Sequence, residues 1–331
     1  MKEKDKIVRL LARFNELGIA DQIDYEKFYL YSVITHSTAI EGSTMTEVEN
    51  QLMFDEGIAP AGKAVVEQMM NLDLRDAYLK WLKWSEGKMH FTPELLCQMS
   101  ASVMRRTGSV YHTMLGDFDS SLGELRKVNV QAGVGGHSYM AFQKVPDKLK
   151  DFCQWLNAQL TTVDSDNAAD IYRFSFEAHY HLVTIHPWVD GNGRTTRLLM
   201  NILQRHFRVP MNKVAKQRKA EYIQALIDAR QEKNVAIFTD TMMTMLCDDI
   251  EVQIRNYEAD TNTSDVQKNV QKEITERQRI ILSMIEQTPN VTMAEMSRKT
   301  GVSIKTIQRD LAELNAVRVG GRKDGHWTIP K

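Results

Sequence analysis

Apolar residues recur at helical spacing along most of the chain. The first such stripe ends at Gly18, and its members are Ile7, Leu10, Leu11, Phe14 and Leu17. Residues three or four positions apart lie on one face of a helix, so this spacing predicts an amphipathic helix that packs on a core. Four later segments share the pattern, at residues 147–160, 170–185, 198–207 and 219–231. The chain is therefore predicted to form a mainly helical domain.

Two pairs of residues predict where helices begin. Thr44 and Glu47 have the spacing of a capping box, which predicts a helix over residues 45–57. Thr92 followed by Pro93 is typical of a cap with proline in the first turn, and the helix is expected to continue to Gly108.

One segment departs from the helical pattern. In residues 125–142, Val128 and Val130 alternate with polar residues, a glycine-rich turn follows, and residues 138–142 have the composition of a returning strand. Such alternation predicts a short β-hairpin. The domain is thus expected to be all-α with one hairpin.

A change of pattern near residue 257 predicts a domain boundary. Residues 257–273 are polar without an apolar face, which indicates a linker or an exposed helix end. Beyond them, three short helical segments and a hairpin are typical of a small winged helix-turn-helix domain over residues 274–331. Its third helix is expected to expose a polar row, consisting of Lys305, Thr306, Gln308 and Arg309.

The charge of this C-terminal segment is modest. Residues 271–331 contain 11 Lys and Arg against 7 Asp and Glu, a net charge of +4. Winged helices bind either DNA or proteins, so both kinds of partner remain open.

The composition of the whole chain narrows the functional classes. Its 331 residues carry 42 Lys and Arg against 43 Asp and Glu, so bulk charge does not indicate nucleic acid or membrane surfaces. No apolar run reaches the roughly 18 residues of a membrane-spanning helix, and the charged start lacks the apolar core of a signal peptide. The three cysteines fit neither a disulfide framework nor a zinc site. We expect a cytoplasmic protein without a membrane partner.

Residues 186–197, HPWVDGNGRTTR, concentrate the candidate chemistry. Glycines at 191 and 193 favour a sharp turn, and the helical run that follows places backbone N–H groups where an anion binds. Arg194 and Arg197 are three apart, so two guanidinium groups accompany this turn and indicate a polyphosphate. Asp190 is suited to hold Mg²⁺, and His186 is suited to act as a general base.

Simpler interpretations apply to each feature taken alone. A single Asp-Gly-Asn-Gly is usually a turn, and two arginines on a helix usually face solvent. Metal ligation by His179, His181 and His186 is disfavoured because the first two point to different sides of a helix. The conjunction of base, acid, turn and two cations within twelve residues favours chemistry on a nucleotide phosphate.

The same stretch resembles the signature of the Fic family, His-Pro-Phe-x-Asp-Gly-Asn-Gly-Arg-x-x-Arg. It departs from that signature only at Trp188, which is expected to anchor the loop in the core. The resemblance covers roughly residues 30–245. It implies an all-α Fic domain with a short β-hairpin flap, which transfers AMP from ATP to a Ser, Thr or Tyr hydroxyl of a target protein with Mg²⁺ present.

The resemblance also implies a role for each matching position. His186 would be the base, Asp190 would position Mg²⁺, and Val128, Asn129 and Val130 would form the flap that binds the target's backbone. The residues implied in nucleotide binding are Gly191, Asn192, Gly193, Arg194, Arg197 and Tyr222.

A second resemblance lies upstream, at STAIEG, residues 37–42. It is similar to the inhibitory pattern of Fic proteins, which implies that Ser37, Glu41 and Gly42 form a brake on the same chain. Glu41 would pair with Arg197 and take it from the γ-phosphate of ATP.

Together these observations predict an N-terminal helical region at 1–89, a catalytic core at 90–256, a linker at 257–273 and a winged helix-turn-helix at 274–331. Two alternatives remain open. One is removal of AMP in the same site, with Glu41 orienting water. The other is a DNA-binding regulator whose Fic domain senses nucleotide. The target and the oligomeric state are open, and a homo-oligomer is among the options.

Overall fold

A computed structural model of the protein describes residues 2–132, 138–269, 276–314, 316–319 and 326–328. The chain divides into two compact units, residues 1–257 and residues 258–331. Within the described ranges, no helix is both long and apolar enough to cross a membrane.

The first unit is helical, as predicted. Its described helices are α1 (Lys2–Glu16), α2 (Tyr25–Ile40), α3 (Glu47–Glu56), α4 (Val65–Ser85), α5 (Pro93–Val103), α6 (Val145–Thr162), α7 (Ala168–Ile185), α8 (Asn192–His206), α9 (Lys219–Gln231) and the first part of α10 (Val235–Asn269), which continues past residue 257. Single 3₁₀ turns lie at Ile19–Asp21, Ser120–Leu122, Phe142–Lys144 and Lys216–Arg218.

Two predicted helix boundaries, at Gly18 and Thr92, can be compared with the structure. Gly18 follows α1 with a φ of 62°, a left-handed conformation that suits glycine. Thr92 caps α5 by accepting from the Leu95 N–H, as predicted, but α5 ends at Val103 rather than at Gly108.

The predicted capping box at Thr44 and Glu47 is wrong by two residues. The box that opens α3 is formed by Thr46 and Glu49, each of which binds the other's backbone N–H. Thr44 instead bonds to Glu67 on α4 through both its N–H and its hydroxyl. Both threonines have an acid three residues ahead, so the local spacing could not distinguish them.

Helices α7 and α8 form the centre of the first unit. α7 buries side chains in two apolar clusters, with Phe174 and Leu182 in one and Tyr172 and Phe176 in the other. A helix that is apolar on most of its surface lies inside a domain. The loop between α7 and α8 is therefore fixed at both ends by core helices.

The described strands of the first unit form one short hairpin. β1 (Val110–Tyr111) pairs antiparallel with β2 (Phe118–Asp119), a pairing that the sequence pattern did not indicate. The hairpin predicted over 125–142 is reduced to an antiparallel bridge between Gln131 and Ser138. Part of its predicted turn, residues 133–137, lies outside the described residues.

The second unit has the predicted three helices and hairpin. They are α11 (Glu276–Gln287), α12 (Met293–Thr300), α13 (Ile304–Glu313), β3 (Val317–Val319) and β4 (His326–Thr328). The strands pair antiparallel, and Gly301 ends α12 with a φ of 71°. An ion pair between Arg277 and Asp310 links α11 to α13.

The polar row on α13 is largely exposed, as predicted. Lys305, Gln308 and Arg309 are exposed, whereas Thr306 is half-buried. Of the predicted linker, residues 257–269 are the end of α10, and residues 270–273 lie outside the described residues.

Candidate functional site

The loop from His186 to Gly191 connects α7 to α8 and takes its shape from two left-handed residues. His186, which follows the last turn of α7, has a φ of 54°, which is uncommon for a residue with a side chain. Gly191, the N-cap of α8, has a φ of 77°. A Cβ at Gly191 would lie 2.7 Å from the sulfur of Met104, so this position requires glycine.

Hydrogen bonds of Trp188 and Asn192 help to hold the loop in place. The fully buried Trp188 donates from its indole to the Gly123 carbonyl at 3.0 Å, which agrees with its expected anchoring role. The amide of Asn192 accepts from the Trp188 N–H and donates to the Trp188 carbonyl. The Asn192 side chain therefore shapes the loop, and its role in nucleotide binding, which the resemblance implies, stays a prediction.

The imidazole of His186 has the features of a base. Its Nδ1 lies 3.4 Å from the Val183 carbonyl, and a proton held there leaves Nε2 as an acceptor. The Tyr139 ring stacks on the imidazole, with centroids 3.7 Å apart. Burial, aided by the charges of Arg126 and Arg230, lowers the pKa of His186 to about 4. The ring is therefore neutral at pH 7.

The side chain of Arg197 is fully engaged by the end of α2 and by one tyrosine. Its Nε donates to the Ser37 hydroxyl at 2.9 Å, and one terminal nitrogen donates to the Ser37 carbonyl at 3.0 Å and to the Glu41 carboxylate at 2.5 Å. The other terminal nitrogen lies 3.5 Å from the Tyr222 hydroxyl. The negative end of the α2 dipole adds to the attraction.

Glu41 lies one residue beyond the end of α2, and its inhibitory role stays a prediction. Burial alone would raise the pKa of its carboxyl, but Arg197 holds that pKa below its ordinary value. One third of the side chain, 33%, is exposed. Gly42 follows with a φ of 107°, so the turn after Glu41 favours glycine. A Cβ at Gly193 would collide with the Glu41 carboxylate, which therefore lies directly over the first turn of α8.

Arg194 is as buried as Arg197 but far less engaged. One terminal nitrogen contacts the Met104 sulfur at 3.2 Å and the Asp190 carboxylate at 3.5 Å. Its Nε and its other terminal nitrogen are buried and have no hydrogen-bond partner among the described residues. Buried donors of this kind favour an incoming anion.

The residues around Asp190 fit Mg²⁺ only together with a nucleotide. Its side chain is 58% exposed, and the described residues contain no group of three metal-ligating side chains. Mg²⁺ is commonly bound by one or two carboxylates, with water and substrate phosphates completing the shell. A single exposed carboxylate beside an anion site matches that arrangement.

Tyr222 lies deeper than a residue that lines a nucleoside pocket. It is fully buried, and its hydroxyl lies 2.9 Å from Nε2 of His179. Burial, together with the charge of Arg197, lowers the pKa of His179 to about 3. In this structure Tyr222 links Arg197 to a neutral histidine, and its contact with the nucleoside stays a prediction.

The flap residues are held mainly by their own hairpin. The Val128 carbonyl accepts from Arg126 at 2.8 Å, and the Val130 carbonyl accepts from the Tyr139 N–H at 3.1 Å. The Asn129 side chain accepts from the Phe142 N–H. Backbone groups alternate in direction along an extended chain, so the backbone of Asn129 points to the opposite edge.

Sequence reasoning did not identify four residues of the site. Arg126, Tyr139, His179 and Met104 contact the motif from outside it, and none belongs to a recognisable spacing. Arg126 binds the loop, Tyr139 covers His186, His179 supports Tyr222, and Met104 packs on Gly191 and Arg194. Their roles become visible only once the chain is folded.

Two segments of the chain match known protein families. Residues 90–204 match the Fic/DOC family, and residues 277–319 match an HTH domain. Protein adenylyltransferase fic-1 of Caenorhabditis elegans is 32% identical over 204 residues, or 61% of this chain and 36% of that protein. Protein adenylyltransferase Fic of Drosophila grimshawi is 30% identical over 192 residues, or 57% of this chain and 36% of that protein. The chain thus spans about a third of the length of these curated relatives.

A solved structure shows the same fold over a longer part of the chain. The crystal structure of a Fic family protein from Desulfovibrio desulfuricans G20 matches 98% of this chain and 96% of its own, with a TM-score of 0.59 and 18% sequence identity. At that identity the likeness concerns the fold alone.

Proposed function

Because the chain carries a Fic/DOC-family domain, we propose that it is a protein adenylyltransferase that moves AMP from ATP to a Ser, Thr or Tyr hydroxyl of a target protein. One observation carries this proposal. A neutral histidine precedes the loop-to-helix turn, and a buried arginine follows it in the first turn of α8; among the described residues, neither Nε2 of His186 nor two nitrogens of Arg194 have a hydrogen-bond partner. The first group can take a proton and the second can bind a phosphate.

His186 performs the proton transfer. Its Nε2 accepts the proton of the target hydroxyl while the hydroxyl oxygen forms a bond to the α-phosphorus. The bond from that phosphorus to the bridging oxygen breaks, and pyrophosphate leaves with the electron pair. The products are an AMP ester on the target and pyrophosphate.

The start of α8 binds the phosphates. The first N–H groups of a helix lack intrahelical partners, and Gly191 and Gly193 let phosphate approach them closely. Arg194 supplies charge from the buried side. When bound, Mg²⁺ would be held by Asp190 and would neutralise phosphate charge.

Glu41 inhibits the transfer by occupying Arg197. One guanidinium cannot pair with Glu41 and with the γ-phosphate in the same geometry. ATP then binds without its last phosphate fixed, and the α-phosphate is not presented in line with the hydroxyl. Catalysis depends on such alignment, so a misplaced phosphate suppresses the reaction.

The flap positions the target by pairing with an extended segment of the target as an added strand. The outward-pointing backbone of Asn129 offers the edge on which an extended target segment would pair, flanked by Val128 and Val130. Main-chain pairing requires no fixed target sequence.

The function is tested with the Glu41→Gly variant, in which Arg197 is no longer paired with Glu41, and with a second variant that also lacks the base. The Glu41→Gly protein is incubated with α-labelled ATP, Mg²⁺ and cell lysate, beside the Glu41→Gly, His186→Ala double variant. We expect labelling to fall about 10²–10⁴-fold without His186, with ATP binding retained. Equal labelling by both proteins would refute the assignment of the base.

The same assay separates the reverse activity. If the wild type removes label from pre-labelled target and Glu41→Gly does not, removal of AMP is the main function and Glu41 serves it by orienting water.

The C-terminal HTH domain is proposed to bind duplex DNA through α13. The observation in its favour is the exposed row of Lys305, Gln308 and Arg309. Binding by the full chain should weaken steeply with salt, and Lys305→Ala should reduce the salt slope by about 1. If no duplex is retained at low salt, the domain serves as a protein-docking module instead.

A further inference from the structure

Arg126 is the most unusual buried charge near the site. It is only 2% exposed, and its three side-chain hydrogen bonds all go to backbone carbonyls. Burial lowers its pKa, which is the direction expected of a cation without a carboxylate to offset desolvation. A buried charge is costly, and an apolar side chain of similar volume often serves stability as well or better. Core packing alone therefore does not account for an arginine here.

The three carbonyls belong to three different parts of the site. Nε donates to the His186 carbonyl at 2.8 Å, one terminal nitrogen to Val128 at 2.8 Å, and the other to Met140 at 2.6 Å. The backbone N–H of Arg126 also donates to the Pro187 carbonyl at 3.1 Å. One side chain thus connects the catalytic loop with both arms of the flap.

The returning arm brings a second contact to His186. Tyr139 precedes Met140, donates its N–H to the Val130 carbonyl, and stacks its ring on the imidazole. Arg126 therefore fixes the backbone of His186 directly. Through Met140 it also fixes the neighbour whose ring covers the imidazole.

We propose that Arg126 is a positioning residue for transfer, which holds the flap and the His186 loop as one unit so that a hydroxyl carried by the flap meets Nε2. This inference rests on the proposed function. Planar guanidinium can donate along three directions at once, whereas the ammonium of lysine cannot reproduce that geometry. The charge and the geometry of Arg126 can therefore be separated by substitution.

The experiment uses the full chain with Glu41→Gly, to which Arg126→Met or Arg126→Lys is added. The control is Arg173→Met, which removes an arginine near the start of α7, the helix that directly precedes His186. The acceptor is a His186→Ala copy of the chain, labelled from α-labelled ATP. A misplacement of about 1 Å can cost on the order of 10²-fold.

We expect Arg126→Met to lower kcat/KM for the acceptor by about that factor while the KM for ATP changes less than about twofold. Arg126→Lys should lose most of the same activity although it keeps the charge, and Arg173→Met should retain it. If Arg126→Met does not fold, Arg126→Lys alone decides the result. A folded Arg126 variant with unchanged kcat/KM would overturn the proposal.

A second measurement does not depend on activity. The Tyr139 ring should shift the His186 ring-proton NMR signals upfield, with His186→Ala identifying those signals and Tyr139→Leu giving the unstacked reference. The Arg126 variants should move the signals toward that reference. Signals unmoved in a folded Arg126 variant would also overturn the proposal. If Glu41→Gly itself transfers no label, the proposed function is wrong, and the NMR measurement alone decides whether Arg126 positions His186.

Discussion

Two arginines one helical turn apart meet opposite conditions in this molecule. We call Ser37, Glu41 and Arg197 the inhibitory side of the site, and Asp190 with Arg194 the loop side. Both arginine side chains are 3% exposed. On the inhibitory side every guanidinium nitrogen has a partner, whereas on the loop side two nitrogens have none among the described residues.

Under the proposed function, this difference assigns phosphate binding to Arg194 and phosphate alignment to Arg197. A buried donor without a partner costs about 1–3 kcal/mol, so the loop side gains from any anion that reaches it. The inhibitory side already contains an anion, the carboxylate of Glu41. Under the proposed function, ATP binds through the loop side while Glu41 keeps its outer phosphate from Arg197.

The largest effect is expected from removing the anion of the inhibitory side. Glu41→Gly should raise incorporation of α-labelled ATP on the order of 10- to 100-fold, which corresponds to about 1.5–3 kcal/mol for a hydrogen bond between charged groups. Glu41→Gln should raise it less, since the amide still obstructs the site. Arg197→Ala should not mimic activation, because it removes the anchor of the brake and the phosphate ligand together.

A matched control exists at the other end of the same two helices. Glu26 on α2 pairs with Arg205 on α8 at 2.7 Å, and both side chains are well exposed. Glu26→Gln should leave incorporation unchanged, because an exposed pair contributes little. If Glu41→Gly is no faster than wild type, the inhibitory assignment is wrong.

A smaller effect should distinguish the two arginines in ATP binding. In an otherwise wild-type chain, Arg194→Ala should raise the Kd for ATP, measured by calorimetric titration, by about tenfold. That is the value of a charge-assisted hydrogen bond. Arg197→Ala should change it little, because Glu41 already occupies that side chain. In the Glu41→Gly background, both substitutions should weaken ATP binding. Equal effects of the two in wild type would contradict the division into two sides.

A last effect, on stability rather than on activity, concerns the histidine behind the inhibitory side. The pKa of His179 is about 3 in the folded protein against an ordinary 6.5, so the unfolded chain binds more protons between these values. Its contribution to stability is complete above pH 6.5 and is lost as pH falls toward 3.

The expected slope is about 1 kcal/mol of unfolding free energy per pH unit for this one group. The unfolding free energy, measured with denaturant at several pH values from 6.5 to 4, should therefore fall less steeply with decreasing pH in His179→Gln than in wild type, by that amount per pH unit. A His179→Gln slope equal to that of wild type would mean that His179 does not stay neutral.

Local patterns accounted for much of the fold. Helical spacing, the Thr92 cap and the glycine after α1 depend on residues within one or two turns of each other, so they can be read from the sequence. The Thr44 capping box failed because two threonines offered the same spacing and the choice was made by Glu67, more than twenty residues away. The predicted hairpin at 125–142 is an antiparallel bridge among the described residues, where the side chains of Arg126 and Asn129 also bind the Val128 carbonyl and the Phe142 N–H.

The sequence by itself determined the chemical parts of the site. His186, Asp190, the two glycines and the two arginines lie within twelve residues, and the turn and helix that they predict are local structures. The tertiary structure alone decided how those parts are engaged. Arg197 meets Glu41 across 156 positions of chain and Tyr222 across 25, and Arg126 meets the His186 carbonyl across 60. Contacts at such separations depend on how helices pack rather than on residue spacing. The proposed inhibitory role of Glu41 was therefore suggested only by a resemblance, and the contacts of Arg126 were visible only in the folded structure.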